Sequence, residues 1–537
     1  MKSITKYTIL GVFALTAMTA CTDDFEQINT NPHEATEEMM EKDGLKMGSF
    51  FSQMVTRMIP FTAGGVQDDS YGSTGAYQHF EGLNSDWYSG YIGATGTWKS
   101  SIHNGCYSFS QDWGNRMYTQ CYTQIMPAWQ NLSKNALAIN QPQVKALGDV
   151  VKVLAMHRVT DYYGPIPYTT FKQGNVNAQF ESQETVYKRF FEELDSAIDI
   201  LTPYAQAGAK ILSKYDYIYE GDAAKWTKLA NTLRLRLALR VVYADPTLAK
   251  TEAEKSAAST VGFLEDASDD AEIVSTSISL MNPLYEQAYS WGEERMSATM
   301  DSYLNGLKDP RLSKYFKAAG DGNYHGVRQG ANVSSNGKDD YRGDKISNLN
   351  LTAISPIYIM KASESYFLRA EAALRGWSMG GTAKSFYEEG VKVAFKESGA
   401  DGVDAYLNDN TDQPAAYKDN TGHNDDYAQP STITVKWDDN ADFETNLERI
   451  ITQKWIANWP ISPEAWAEYR RTGYPKILPV VRNLSGGAID TNLGIRRMPY
   501  PTTLYDTNAA AMAGAVKLLG GSDNGGTKLW WDKNPNH

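Results

Sequence analysis

Apolar residues recurring every three or four positions constrain this chain more than any other feature, because that spacing makes a stripe along an α-helix and not along a strand. The pattern runs from Asn115 to Asn140, from Val144 to His157 and between Glu184 and Leu201. Trp226, Leu229, Ala230, Leu233, Leu237 and Val241 mark a further long helix, whose other face carries Arg234, Arg236 and Arg240. A shorter helix is expected through Gly44 to Met54. Ser462-Pro463-Glu464 reads as the start of another, with a hydroxyl cap, proline at the first helical position and an acid near the positive end of the dipole. Nothing alternates strand with helix, so a parallel sheet is not expected.

Tyr366, Ala370, Ala373 and Leu374 share a face, Gly376 follows as a stop, and Phe386, Tyr387, Val391 and Ala394 begin a second helix. Helix, glycine turn and helix with small residues at the contact resembles a tetratricopeptide unit, although no repeated consensus runs through the chain. Residues 60–112 break the pattern: glycine, Tyr, Trp, Ser and Thr crowd together without helical spacing. Such a long irregular stretch inside a compact body is functional or disordered, and its large aromatics argue against disorder. Two polar stretches, about 319–350 and 400–446, read as surface insertions. The expected fold is therefore mainly α, with a tetratricopeptide-like scaffold of helix pairs and an irregular, loop-rich portion packed on it.

Residues 1–20 have the charged start (Lys2, Lys6), apolar middle and small-residue exit (Met18-Thr19-Ala20) of a secretory signal, and the apolar run is too short for a mature membrane span. Cys21 directly after Ala20 resembles the lipobox of bacterial lipoproteins, in which this thiol is lipidated; several acyl chains anchor a protein stably where one does not. Thr22-Asp23-Asp24 resembles the signal that carries Bacteroidetes lipoproteins to the outside of the outer membrane. Residues 21–34, with Asn31-Pro32, read as a lipidated tether, and 35–537 as the body.

A formal charge of −13 and the lack of basic runs argue against nucleic acid or anionic lipid as the main partner. Besides Cys21 there are only Cys106 and Cys121, which either form one bridge or remain two inert thiols. The histidines show no metal spacing, and no nucleophile elbow, phosphate loop or dinucleotide glycine pattern occurs. Ser335 and Lys338 form an isolated Ser-x-x-Lys in a polar loop, which reads as loop. Glu293 and Glu294 beside Trp291 are the best candidates for paired carboxylates, but neighbours point in different directions, so an acidic solvated loop is the expected reading. No cofactor is implied, and metal binding is left open.

Several segments together resemble one family, the SusD/RagB surface lipoproteins of Bacteroidetes, in particular its SusD-like type 2 branch. They are Arg158 to Tyr168, Met300 to Leu312 with its Asp309-Pro310-Arg311, and Ile359 to Arg375 around Arg369-Ala370-Glu371. Gln453-Lys454-Trp455, Trp466 to Pro475, Arg496 to Pro501 and Trp530-Trp531-Asp532 follow in family order. The resemblance implies a single SusD-like domain over 35–537, built on four tetratricopeptide-type helix pairs. It implies a lipid-anchored cell-surface protein of the outer membrane, not an enzyme, that captures oligosaccharide as a lid over a TonB-dependent transporter of SusC type. Pro460 and Pro463 depart from the family's smoother helix, so a break is expected after Trp459.

Ligand sites in the family are shallow and aromatic. The candidates here are Trp87, Tyr88, Tyr91 and Trp98 in the glycine-rich region, and a second patch of Tyr289 and Trp291 beside Glu293 and Arg295. A sugar's apolar C–H face lies on such rings while its hydroxyls need polar partners. The competing reading makes these rings loop anchors or contacts to the transporter. Capture of oligopeptide is the alternative function, and a surface glycoside hydrolase a more distant one.

Overall fold

In the computed structural model, residues 44–63, 71–175, 177–334 and 338–537 are described. The signal peptide, Cys21, the tether and Ser335 lie outside the described residues. The scaffold comprises α1 (Leu45–Arg57), α2 (Met126–Ala138), α3 (Pro142–Tyr163), α4 (Gln183–Gln206), α5 (Ala223–Arg240), α6 (Pro246–Ala258), α7 (Ala362–Leu374), α8 (Ala383–Ser398), α9 (Phe443–Ala457) and α10 (Ser462–Thr472). Consecutive helices pack on one another from α2 through α6, α7 packs on both α8 and α9, and α5 on α7 joins the two groups. Shorter helical turns lie between them. Among the described residues the only strands form three two-stranded antiparallel pairs. They are β1 (Thr62–Ala63) with β4 (Leu280–Met281), β2 (Ile92–Ala94) with β5 (Glu294–Met296), and β3 (Ala271–Ile273) with β6 (Ile357–Met360).

The expected helices form, most of them longer than the spacing alone indicated, because tertiary burial extends a helix beyond its amphipathic stretch. Their stops follow backbone chemistry. Gly164, Gly376 and Gly473 stand just past α3, α7 and α10 with φ of 91°, 79° and 79°, a conformation that costs other residues a Cβ clash. Gly390 matters for packing instead. A Cβ there would lie 3.0 Å from the Phe367 ring, so the glycine lets α8 approach α7 closely. The break at Pro460 is present between α9 and α10, and Lys361 covers carbonyls at the break by donating to Ala457 O at the end of α9 (3.0 Å) and to Trp459 O just beyond it (2.5 Å).

Some expectations are corrected. Ser462 is the first helical residue of α10 and does not cap it; Ile461 holds the cap position, and the Ser462 hydroxyl is spent on Asp86 and Ser85 instead. The stretches 319–350 and 400–446 are not mere surface insertions. Val327, Val333, Tyr341 and Ile346 build a small core within the first, and Tyr406, Tyr417 and Val435 are buried anchors of the second. Cys106 and Cys121 are both free and buried, and burial pushes the Cys121 thiol well up.

Charged side chains in the middle of the scaffold helices form a buried ion network. Arg236 grips Glu364 through Nε (2.7 Å) and Nη2 (2.6 Å). One turn along α5, Arg240 reaches Asp161 on α3 (2.6 Å) and Glu464 on α10 (2.7 Å). Lys454 on α9 lies 3.0 Å from Glu464 and 3.2 Å from Glu468, and Arg471 is bidentate to Glu371 on α7 with both contacts at 2.6 Å. Burial opposes ionisation of Glu468, but Arg471 and Lys454 outweigh it and hold the carboxyl down to about 2. Glu371, Lys454, Glu468 and Arg471 belong to the Arg-Ala-Glu, Gln-Lys-Trp and Trp466–Pro475 segments, so those segments serve as a structural clamp. Arg311 with Asp309 (2.6 Å) and Arg496 with Asp532 (2.5 Å) pair in the same buried manner.

Candidate functional site

The two aromatic patches, some two hundred residues apart in sequence, are brought together by one short ladder. Strand β2 pairs with β5 in the register Ile92↔Met296, Gly93↔Arg295, Ala94↔Glu294. Thr95 N–H extends it by donating to Glu293 O (2.8 Å), and the Thr95 hydroxyl donates to Gly292 O (3.1 Å). Small residues permit this approach: a Cβ on Gly93 would meet the Val327 carbonyl oxygen at 2.7 Å. Arg342 Nε closes the edge by donating to Thr95 O (3.0 Å).

All three residues of β5 are buried, Glu294 fully, while Glu293 just before the strand is half-buried, so the expected solvated acidic loop is absent. Burial lifts the Glu293 carboxyl to about 7, with Arg342 and hydrogen bonds from Gln78 and Trp98 pulling the other way. Gln78 Nε2 donates to Glu293 Oε2 at 2.6 Å. Glu294 is pushed up by burial first and by Asp86 second. Glu294 is fully buried where no substrate reaches it, which is poor placement for one half of a glycosidic carboxylate pair.

The candidate rings divide by burial. Tyr91 is 1% exposed, wedged 5.3 Å from both Trp455 and Trp459, with its hydroxyl donating to Trp455 O (2.5 Å). Tyr88 packs 5.3 Å from Trp466, and Trp87, 2% exposed, lies 5.1 Å from His103. All three are buried: Tyr88 and Tyr91 pack on scaffold tryptophans, Trp87 packs within the loop region against His103 and Trp98, and none of the three has the half-exposed face of Trp98. Trp98, Tyr289 and Trp291 are half-buried. Tyr289 stacks on Tyr285 at 4.8 Å with Lys317 above its ring.

Trp98 is the best-supported of these. It stands edge-on to Trp113 (5.9 Å) and His103 (5.8 Å), its indole N–H directed to Glu293. Burial and then Arg482 hold the His103 ring down to about 4, so it is neutral at pH 7. Immediately after Trp98, the residues Lys99, Ser100 and Ser101 take φ of 47°, 54° and 60°. Consecutive left-handed residues cost about 1–2 kcal/mol each, and such strain concentrates at functional sites. Arg482 holds the turn by donating to Ser101 O (2.8 Å) and Gly330 O (2.8 Å), and Ser334 N–H donates to the Ser101 hydroxyl (2.9 Å). The turn leaves Lys99 and Ser100 exposed beside Trp98, with the Lys99 ammonium 5.3 Å from the Trp113 ring. Chemically the arrangement is a flat aromatic platform edged by an amide, a carboxyl, a guanidinium and an ammonium.

Glycine at 96 sets the ring's position, since a Cβ there would lie 2.2 Å from the Trp98 ring. Gly96→Ala is expected to swing Trp98 off Glu293, changing the near-ultraviolet circular dichroism of the indole with only a small loss of thermal stability; an unchanged spectrum would show that the ring does not rest there. Sequence reasoning missed Gln78, Trp113 and Arg342, which have no shared spacing, and misjudged Glu293. Among the described residues no three His, Cys, Asp or Glu side chains converge as metal ligands.

The fold matches known proteins. The family model described as SusD-like, Susd and RagB outer membrane lipoprotein, matches residues 27–532, and the chain belongs to this family. A chitin-binding SusD homologue from Flavobacterium johnsoniae is 40% identical, covers 91% of this chain and 100% of its own, and superposes with a TM-score of 0.86. A SusD homologue from Bacteroides uniformis is 37% identical over 91% of this chain and 99% of its own, with a TM-score of 0.84. A third, from Bacteroides thetaiotaomicron, is also 37% identical over 91% and 99%, with a TM-score of 0.81. No curated protein matches. The family is one of outer membrane lipoproteins, and among the described residues no helix is long and apolar enough to cross a membrane.

Proposed function

We propose that this chain is a lipid-anchored cell-surface protein that captures oligosaccharide and delivers it to a TonB-dependent transporter of SusC type. The observation that carries the reading is the joined surface at Trp98, where β2–β5 pairing sets this half-buried tryptophan beside Gln78, Glu293 and Arg342. An aromatic face with a few convergent polar groups suits a sugar ring, which is apolar on its faces and polar at its rim. The chitin-binding relative supports a carbohydrate over a peptide. Trp98 and Trp291 are the ring contacts of this site, with Tyr289 at its margin.

On this reading the protein is a binder and not an enzyme, consistent with the full burial of Glu294. Its test is a glycan array run beside a peptide library, with release of reducing ends assayed on every glycan retained. Glycan retention without new reducing ends is expected; retention of peptides alone, or steady release of reducing ends, would contradict it. Residues 1–20 serve as the signal peptide, Cys21 as the lipid anchor and 22–34 as slack for a lid, with 35–537 as one domain. Cys21→Ala should therefore leave affinity in vitro intact and abolish uptake by cells, and normal uptake by that variant would rule out a tethered lid.

A further inference from the structure

The C-terminal ends of α5 and α7 and the starts of α6 and α9 converge on an open groove of about 820 Å³, which shares no lining residue with the surface around Trp98. Its size falls within the ~300–1,000 Å³ of small-ligand sites. The walls are half-buried Tyr243, Trp377 and Phe443. Between two of them Arg375 is fixed, its guanidinium 5.1 Å from the Tyr243 ring and 5.2 Å from Phe443. Nε and Nη2 of Arg375 donate to Glu371 Oε1 at 3.0 and 2.8 Å, which ties the groove floor to the ion network. No acceptor among the described residues takes up Nη1.

Trp377 is equally preset. Gly376 turns the chain after α7, Trp377 N–H donates back to Ala372 O (3.0 Å), and Ser378 N–H donates to Glu254 Oε1 on α6 (3.0 Å). The Trp377 indole N–H has no partner among the described residues. Lys250 and Thr247 stand exposed at the rim. The groove therefore offers aromatic walls and a donor-rich rim, while its one carboxylate at the rim, Glu254, accepts from Ser378 N–H and lies 3.9 Å from the Lys250 ammonium, a long exposed pair that leaves Lys250 donors for a ligand.

We propose that this groove is a second carbohydrate site, taking a sugar ring against Trp377 with the ring's oxygens on Arg375 and Lys250. Hydroxyls suit a donor-rich rim because each accepts as well as donates, whereas the N–H groups of a peptide would go unpaired. No strand lies at the groove to extend by main-chain pairing. The proposal rests on the carbohydrate reading above and extends it: two sites on one rigid scaffold hold a long glycan more tightly than either does alone.

The test is affinity electrophoresis of the full mature chain in gels containing glycol chitin, xylan, pectin or mixed-linkage β-glucan, comparing wild type with Trp377→Ala, Lys250→Glu and Trp98→Ala. On the polymer that retards wild type, Trp377→Ala and Lys250→Glu should each weaken retention about fivefold, and combining either with Trp98→Ala should remove it. Lys250 is exposed, so Lys250→Glu carries the test if Trp377→Ala does not fold. Full retention in both groove variants with loss in Trp98→Ala overturns the groove and leaves the first site standing. Loss in the groove variants with none in Trp98→Ala supports the groove and overturns the Trp98 site. A wild type retarded by none of these polymers overturns both.

Discussion

Glu464→Ala is expected to lower the free energy of unfolding by about 3–5 kcal/mol, the typical cost of stripping one partner from a buried ion pair. Glu464 faces Arg240 at 2.7 Å, Lys454 at 3.0 Å and Arg236 at 3.5 Å, all buried, so its removal leaves cations unbalanced where water cannot solvate them. Burial alone would raise its pKa, but Arg240, Lys454 and Arg236 together hold the carboxyl well below its usual range. A folded-state pKa below the unfolded one contributes stability that is present above the unfolded value, about 4.3 for Glu, and lost as pH falls through the folded value. Wild type should therefore lose stability steeply as pH drops below about 4.5, and Glu464→Ala should lose less over that range because the linked group is gone. Denaturant unfolding at pH 7 and pH 3.5 measures both; a loss under about 1 kcal/mol at pH 7 would mean the network is held by solvent-screened pairs.

Removing both candidate rings by Trp98→Ala with Trp291→Ala should weaken glycan binding about five- to 150-fold. The figure takes each sugar–ring contact as comparable to a ring–ring contact, about 0.5–1.5 kcal/mol, and converts the sum to an affinity ratio. Both residues are half-buried, so the melting temperature should fall only modestly. Trp87→Ala is the informative contrast. It sits in the core against His103 and 5.8 Å from the Trp98 ring, so its loss should destabilise the loop region by about 3–5 kcal/mol and weaken affinity only as far as Trp98 is displaced. Calorimetric titration of both variants, with melting curves alongside, separates a contact residue from an anchor.

Much of the scaffold was legible because helical burial repeats locally: the faces read at Trp226–Val241 and Tyr366–Leu374 need no knowledge of partners. The ion network was not legible, because its partners come from far-separated helices, Arg240 and Glu464 standing 224 positions apart. The aromatic candidates were visible as residue types, yet a three-residue ladder, Ile92–Ala94 with Glu294–Met296, carries no alternation long enough to announce itself. That ladder decides everything about the site. It joins the two patches, buries Glu294, raises Glu293 and leaves Trp98 at the surface, while Tyr91, chemically as good a sugar platform, disappears between Trp455 and Trp459. Burial of an individual ring depends on partners hundreds of residues away.

The central claim is that a sugar ring lies on the Trp98 platform. A crystal structure of the mature chain with a bound oligosaccharide, selected from the glycans retained on the array, measures this directly. A pyranose face against the Trp98 indole, with hydroxyls within hydrogen-bond reach of Glu293 or Arg342, is the predicted result. Ligand bound elsewhere, with the Trp98 surface still bare, would contradict it.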